Sequence, residues 1–269
     1  TQGEFVTHFV EHAYIEPEAG YAQRLGTDRI EVVASTQSPY MDRAEIAYVL
    51  GIAPSQVRVR PTACGGGFGG KLDQSVQPLI ALAAWLLDRP VRCVYTRTES
   101  MAATTKRHPA QIRARAVATR SGELVSYEFD GQFNTGAYSS WGPTVAGRVP
   151  VHCMGPYRVP NVRADARAIF THRSPSGAFR GFGVPQAALA HEALMDELAD
   201  SLAIDKLEFR YTNALRAGDT TATGQTLHAS AGLPACLNAL RPHWAKLNQA
   251  AKHFNETNRR SHLRRGVGI

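Results

Sequence analysis

Cysteine is sparse in this 269-residue chain, and Cys64, Cys93, Cys153 and Cys236 stand far apart with no Cys-x-x-Cys pair. That spacing excludes a structural zinc site and a bound iron–sulfur cluster, both of which draw on clustered thiolates. It is the usage expected of reduced thiols, which points to a cytoplasmic protein. Long apolar runs are missing too. The stretch from Leu79 to Leu87 is broken by Asp88-Arg89-Pro90, well short of the roughly 20 residues that cross a bilayer, so no membrane span is expected. No low-complexity tract and no internal repeat is evident. Thr1 opens the chain without a methionine, a charged leader or a cleavage site, as an internal piece or a processed chain would. Acidic residues are outnumbered, 23 against 30 Lys and Arg, for a formal charge of +7. The arginines are dispersed and no recognition module surrounds them, so no nucleic-acid partner is expected. Arg259-Arg260 with Arg264-Arg265 reads as a solvated face or a contact with an acidic partner. Asn255-Glu256-Thr257 is a glycosylation sequon by pattern only, discounted without a secretory signal.

What is present begins with Cys64-Gly65-Gly66-Gly67-Phe68-Gly69-Gly70-Lys71, five glycines around one aromatic, where a backbone can close on a ligand that side chains would exclude. Val57 to Arg60 alternates like a strand before it, and Asp73 to Leu87 reads as a helix after it. The loop is therefore expected to open that helix, where free N–H groups favour an anion. Cys64 is expected to be a small residue packed beside a tight turn, with a reactive thiol as the alternative. Gly65, Gly70 and Lys71 fit a P-loop frame, but Leu72 stands where a magnesium-binding hydroxyl is needed. Gly65, Gly67 and Gly70 satisfy the dinucleotide pattern, yet Val91 to Thr96 has no acidic ribose ligand and Glu99 comes late. His8-Phe9-Val10-Glu11-His12 matches an inverted zinc-protease motif that needs a helix. Thr7, Phe9, Val10, Tyr14 and Ile15 favour a strand instead, and Pro17 blocks a helix.

A second loop, Ser176 to Gln186, again couples small residues to aromatics in Ala178-Phe179-Arg180-Gly181-Phe182-Gly183, and again precedes a helical run, Ala187 to Leu202. Together the two loops resemble the molybdopterin-binding large subunit of the molybdenum hydroxylases, the xanthine dehydrogenase and aldehyde oxidase family. Glu11-His12-Ala13 with Glu16-Pro17, Ser35 to Pro39 and Gly136-Ala137-Tyr138 agree in order, so the likeness runs from about Glu11 to about Gly218.

The resemblance implies a molybdenum cofactor on a pterin dithiolene, in a plain or a cytosine dinucleotide form, with metal ligands supplied by the cofactor and none by protein side chains. It places Gln37 beside the metal's oxygen ligand as an amide donor. Gly67, Phe68 and Gly69 would approach the cofactor through the backbone, Phe68 also walling the substrate pocket. Arg180 would present its backbone N–H near the oxo group, and Phe182 would stack on an aromatic substrate. Arg148 matches a position where purine-oxidising members stabilise substrate anion; a surface arginine before a Pro-bent strand is the plainer reading. Leu72 stands where purine oxidisers carry a Glu, which argues against xanthine and leaves an aldehyde, a nicotinate-like N-heterocycle or an aromatic thioester. The catalytic Glu of the family sits in a later segment, and none of Glu4, Glu11, Glu16 or Glu99 matches it. The implied protein hydroxylates an aldehyde or N-heterocyclic carbon with water-derived oxygen. A second molybdopterin-binding domain or chain completes the site, and iron–sulfur and FAD-bearing partners take the electrons. A noncatalytic assembly domain and a dinucleotide-binding domain are the alternatives.

The expected fold is α+β, with two related mixed sheet and helix subdomains. Strands are expected at Arg29–Ala34, Gln56–Arg60, Val91–Thr96 and Val162–Phe170, with a hairpin of Gln111–Thr119 and Glu123–Phe133 turning at Ser121-Gly122. Helices are expected at Tyr40–Leu50, ending at Gly51, at Ile204–Leu215, and at Leu233–His253. Residues 1–217 form the cofactor-binding domain, and 218–269, opening on a Thr/Gly-rich linker over Gly218–Thr226, form a helical extension toward a second cofactor-binding domain.

Overall fold

Two four-stranded mixed sheets, each backed by helices, organise the computed structural model, which describes residues 1–259 and 262–269. Arg260 of the basic terminal cluster lies outside the described residues. The strands are β1 (Gln2–Thr7), β2 (Ala19–Leu25), β3 (Arg29–Ala34), β4 (Val57–Pro61), β5 (Val91–Val94), β6 (Ala110–Ala118), β7 (Leu124–Gly136) and β8 (Asn161–Phe170). The helices are α1 (Pro39–Leu50), α2 (Gln77–Leu87), α3 (Arg97–Ala103), α4 (Gly142–His152), α5 (Val184–Leu202), α6 (Lys206–Asn213) and α7 (Leu233–Thr257).

The first sheet runs β5-β2-β3-β4 and the second β1-β6-β7-β8. Both read antiparallel, antiparallel, parallel in that order. A parallel pair needs a crossover, and here it is α1 between β3 and β4, and α4 between β7 and β8. Each subdomain then passes from its parallel edge strand through a glycine loop into a helix that packs back on its sheet, α2 in the first and α5 in the second. Only the outer antiparallel strand differs in origin: β5 follows α2, whereas β1 comes from the start of the chain. The two related mixed subdomains expected from the sequence are therefore present in the topology.

The second core shows why these residues make these elements. Ala110, Ile112, Ala114 and Ala116 of β6 face inward while Gln111, Arg113 and Arg115 face out, the two-residue alternation of a half-buried strand. Ala187, Ala190 and Ala199 let α5 approach this face closely, and Leu194, Met195, Phe129 and Phe133 fill the space between. In the first core, Ile80, Ala81 and Ala84 of α2 sit on Ile30 and Val32 of β3. No described helix is long and apolar enough to cross a membrane.

Several expectations change. The segment Thr7 to Ile15 is not a strand; β1 stops at Thr7, and residues 8–18 become a strap across both subdomains, with Val10 C=O accepting from Arg107 N–H at 3.1 Å. The helix expected from Asp73 begins at Gln77, because Pro78 is tolerated only in a first turn. Loop one therefore does not lie at a helix N-terminus. The strand expected to Thr96 stops at Val94, since Thr96 caps α3 and its side chain accepts from Glu99 N–H. The Pro-bent strand is helix α4, with Pro150 inside its final turn. Helix α5 starts at Val184, and α6 is shorter than expected because Asp205 caps it, accepting from Leu207 and Glu208 N–H. Cys64 is exposed rather than packed. The hairpin of β6 and β7 is found as expected, with Gly122 at φ +88° in its turn.

Candidate functional site

Each subdomain delivers a Gly-Phe-Gly loop in which the phenylalanine and the glycine after it both take positive φ. Phe68 has φ +49° beside Gly69 at +103°, and Phe182 has φ +47° between Gly181 at +99° and Gly183 at +88°. A phenylalanine in the left-handed region is strained and persists only where surroundings enforce it. The two loops meet: Arg180 N–H donates to Phe68 C=O at 2.8 Å. A Cβ on Gly69 would lie 2.8 Å from Ala178 O, so only glycine permits the contact. His12 of the strap seals the same junction, its Nε2 2.8 Å from Ala178 O and its ring stacked on Phe179 at 4.1 Å. Burial holds the His12 imidazole below its ordinary pKa, toward the neutral form.

Gln37 leaves the end of β3 and anchors loop one. Its Oε1 accepts from Gly69 N–H at 3.0 Å and Lys71 N–H at 3.3 Å, and its own N–H donates to Lys71 C=O at 3.0 Å. Two backbone donors on one side-chain atom identify that atom as the oxygen. The Nε2 group makes no hydrogen bond among the described residues and belongs to an exposed side chain, so the patch presents an amide donor. Beside it, Gly67 is buried, its N–H finds no acceptor among the described residues, and a Cβ there would sit 2.4 Å from Gln37 Oε1. Phe68, 47% exposed, projects over the same surface. Unpaired donors on a side-chain-poor surface suit a ligand rich in oxygen acceptors.

Arg180, expected to offer its N–H to a ligand, spends that group on Phe68, so in this arrangement only its exposed side chain faces outward. Phe182 is half-buried and meets Trp141 edge-on at 5.9 Å, turned partly into the second core. Arg148 is exposed on α4 and makes no hydrogen bond or ion pair among the described residues. Its helix nonetheless backs loop two, since a Cβ on Gly183 would strike Val149 at 2.5 Å.

The residues around the loops exclude the competing motifs. Lys71, the would-be phosphate ligand of a P-loop, is 2% exposed, paired with Glu16 at 2.7 Å and set 4.8 Å over the Tyr14 ring. His8 is exposed while His12 is buried, and no group of three metal-ligating side chains exists among the described residues. A surface depression of about 580 Å³ lies on the outer face of the second sheet. There Arg113 with Glu4 and Arg115 with Glu128 pair across strands, leaving no convergent free donors.

Three supports were not legible in the sequence. Asp73, expected to begin a helix, accepts from Ser140 Oγ at 2.7 Å and Thr105 Oγ1 at 3.1 Å and ties loop one to the second subdomain. Burial outweighs these bonds and raises its carboxyl pKa. Arg107 covers the Phe179 ring at 3.8 Å and donates to Arg180 C=O at 2.9 Å. His108, 2% exposed, accepts from Gln186 Nε2 at its carbonyl, 3.0 Å away. Burial pushes the His108 imidazole down to about 4. Its stabilising neutral form is fully effective above about pH 6.5 and is lost as pH falls through 4. Denaturant titrations are expected to show about 3 kcal/mol less stability at pH 4 than at pH 7 from this group, and His108→Asn should flatten that slope.

The molybdopterin cofactor-binding domain model matches residues 1–214. The chain belongs to this family. The nicotinate dehydrogenase large molybdopterin subunit of Eubacterium barkeri is 45% identical over 237 residues, covering 88% of this chain and 56% of that one. The xanthine dehydrogenase molybdenum-binding subunit of Escherichia coli O157:H7 is 35% identical over 272 residues, covering 100% and 35%. The solved aldehyde oxidoreductase from Desulfovibrio gigas superposes with a TM-score of 0.91 at 32% identity, covering 94% of this chain and 28% of that one. The chain thus spans about half or less of these relatives, and the residues matched by the molybdopterin-binding domain include both glycine loops.

Proposed function

We propose that the chain supplies the first molybdopterin-holding surface of a molybdenum hydroxylase, acting on an N-heterocyclic or aldehyde carbon. The observation that carries this reading is the junction of the two Gly-Phe-Gly loops through Arg180 and Phe68, with the Gln37 amide donor beside it. The residues fit the group: the Gly67 N–H and the Gln37 amide would hold its oxygen ligands, and the glycines let its bulk approach the backbone. When bound, the cofactor would supply the redox centre and the water-derived oxygen for hydroxylation.

The chain's own residues would do the positioning. Gln37 Nε2 would donate to an oxygen on the metal, Phe68 would wall off water and orient the substrate, and Phe182 with Trp141 would offer an aromatic edge. Arg148, on the helix behind loop two, would reach a substrate anion. A nicotinate-like ring is supported by the relative at 45% identity, itself a nicotinate dehydrogenase subunit. Leu72, lacking a polar group for a purine ring, supports that preference. The cytosine dinucleotide form of the pterin, the second cofactor-binding domain, the iron–sulfur and FAD partners, the division at residues 217 and 218, and the cytoplasmic setting belong to the same proposal.

The test is molybdenum and pterin analysis of the complete protein, with Gln37→Glu kinetics. A glutamate keeps an oxygen for Gly69 and Lys71 N–H but removes the outward donor. Pterin content is expected to stay near one per chain while turnover falls about a hundredfold, the scale of one lost oxyanion donor. Full turnover in Gln37→Glu, or no pterin in the wild-type protein, overturns the reading.

A further inference from the structure

Loop one is held at both ends by a single oxygen atom. Glu16, in the strap between β1 and β2, receives on Oε2 the Gly65 N–H at 2.8 Å, the Ser35 hydroxyl at 2.6 Å and the Lys71 ammonium at 2.7 Å. Gly65 begins the glycine run and Lys71 directly follows its last glycine, Gly70. Ser35 closes the circuit by accepting from Lys71 Nζ at 2.9 Å. The fit is close, since a Cβ on Gly65 would fall 2.5 Å from the Glu16 Cβ. Burial works against the Glu16 carboxylate, but the bonds from Lys71, Ser35 and Gly65 outweigh it and hold its pKa below the ordinary value.

Lys71 passes this restraint on. Its side chain is 1% exposed, so its position is set by the carboxylate it meets, and a buried ammonium without a counter-charge is costly. Its backbone grips Gln37 on both sides, through N–H to Oε1 and through C=O to the Gln37 N–H. We propose that Glu16 is a positioning residue, which locks both ends of loop one and, through Lys71, sets the direction of the Gln37 amide. The inference rests on the proposed function for its meaning in turnover, but the lock itself exists without any cofactor.

The experiment compares Glu16→Gln, Lys71→Met, the double variant and Ser35→Ala in the complete protein, cofactor-loaded and cofactor-stripped. Hydrogen exchange is read over Cys64 to Leu72, with β6 and β7 as an internal reference for global folding. Glu16→Gln leaves the ammonium buried and unpaired, so loop exchange is expected to rise about tenfold or more. The double variant leaves neither charge unpaired and is expected to return to within about threefold of wild type. Ser35→Ala, which strands no charge, is expected to raise exchange about threefold, and it carries the test if Glu16→Gln also loosens β6 and β7.

In turnover, Glu16→Gln is expected to lower kcat with KM unchanged, and to add nothing further when combined with Gln37→Glu. A double variant as loose as the product of its single effects, wild-type exchange in Glu16→Gln and Ser35→Ala alike, or effects of Glu16→Gln and Gln37→Glu that multiply, would overturn the proposal. Exchange in stripped samples does not depend on pterin. A protein without pterin would remove the proposed function while leaving the lock to be judged by its own data.

Discussion

Gly69→Ala is expected to cut pterin retention by at least about tenfold while the second subdomain keeps its melting behaviour. The residue sits at φ +103°, where an alanine is strained, and its new Cβ would lie 2.8 Å from Ala178 O and 2.9 Å from Ala178 C. Both obstacles are backbone, so neither can swing aside. Strain of this kind costs about 1–3 kcal/mol, and relieving the clash parts the Arg180 to Phe68 hydrogen bond that joins the loops. Gly26→Ala is the control, because that glycine also has positive φ, +71°, but meets nothing within 4 Å on the β2–β3 turn. It should cost about 1 kcal/mol of stability and leave pterin content unchanged. Equal retention in the two variants, read as pterin per chain after gel filtration, would disprove the idea that loop contact holds the cofactor.

Arg210→Met is expected to be strongly destabilising although it lies away from the loops. Arg210, its side chain 5% exposed, donates to Glu192 Oε2 at 2.7 Å and pairs with Asp196 at 2.8 Å, tying α6 to the helix that carries loop two. Tyr157 hydroxyl adds a bond to Glu192 Oε1 at 2.8 Å. Removing one member of a buried pair costs about 3–5 kcal/mol, but the two carboxylates keep partial solvent contact, so about 2–3 kcal/mol is expected. Burial raises the Glu192 pKa, but its bonds to His191, Arg210 and Tyr157 outweigh that and hold it at about 2. Glu192 therefore stabilises above about pH 4.5, and that contribution fades as pH falls toward 2. In Arg210→Met the acid-unfolding midpoint should move to higher pH. An unchanged midpoint together with unchanged urea stability would show that the pair contributes nothing.

Much of the fold was legible where one residue pattern maps onto one local geometry. The alternation in β6 and β7 and the turn at Gly122 depend on neighbours two or three residues apart, and they appear close to where the pattern puts them. The strand β2 escaped because its sequence, Ala-Gly-Tyr-Ala-Gln-Arg-Leu, has only weak alternation and is completed by pairing on both sides, with β3 and β5. Helix α4 escaped because Gly142, Pro143, Gly147 and Pro150 all argue against helix, and packing of Val145 and Val149 into the second core overrides them.

The site divides in the same way. Five glycines around Phe68 and the Gly-Phe-Gly of loop two declare a backbone surface from sequence alone, because absent side chains are visible as letters. Tertiary structure decided how that surface is used. It spent the Arg180 N–H on Phe68, turned the Gln37 amide nitrogen outward, buried Lys71 against Glu16, and set Asp73 between the subdomains. Residue order settles which groups the chain owns. Which donor meets which acceptor depends on segments far apart in the chain arriving within about 3 Å of each other, the reach of a hydrogen bond, and no local spacing encodes that approach.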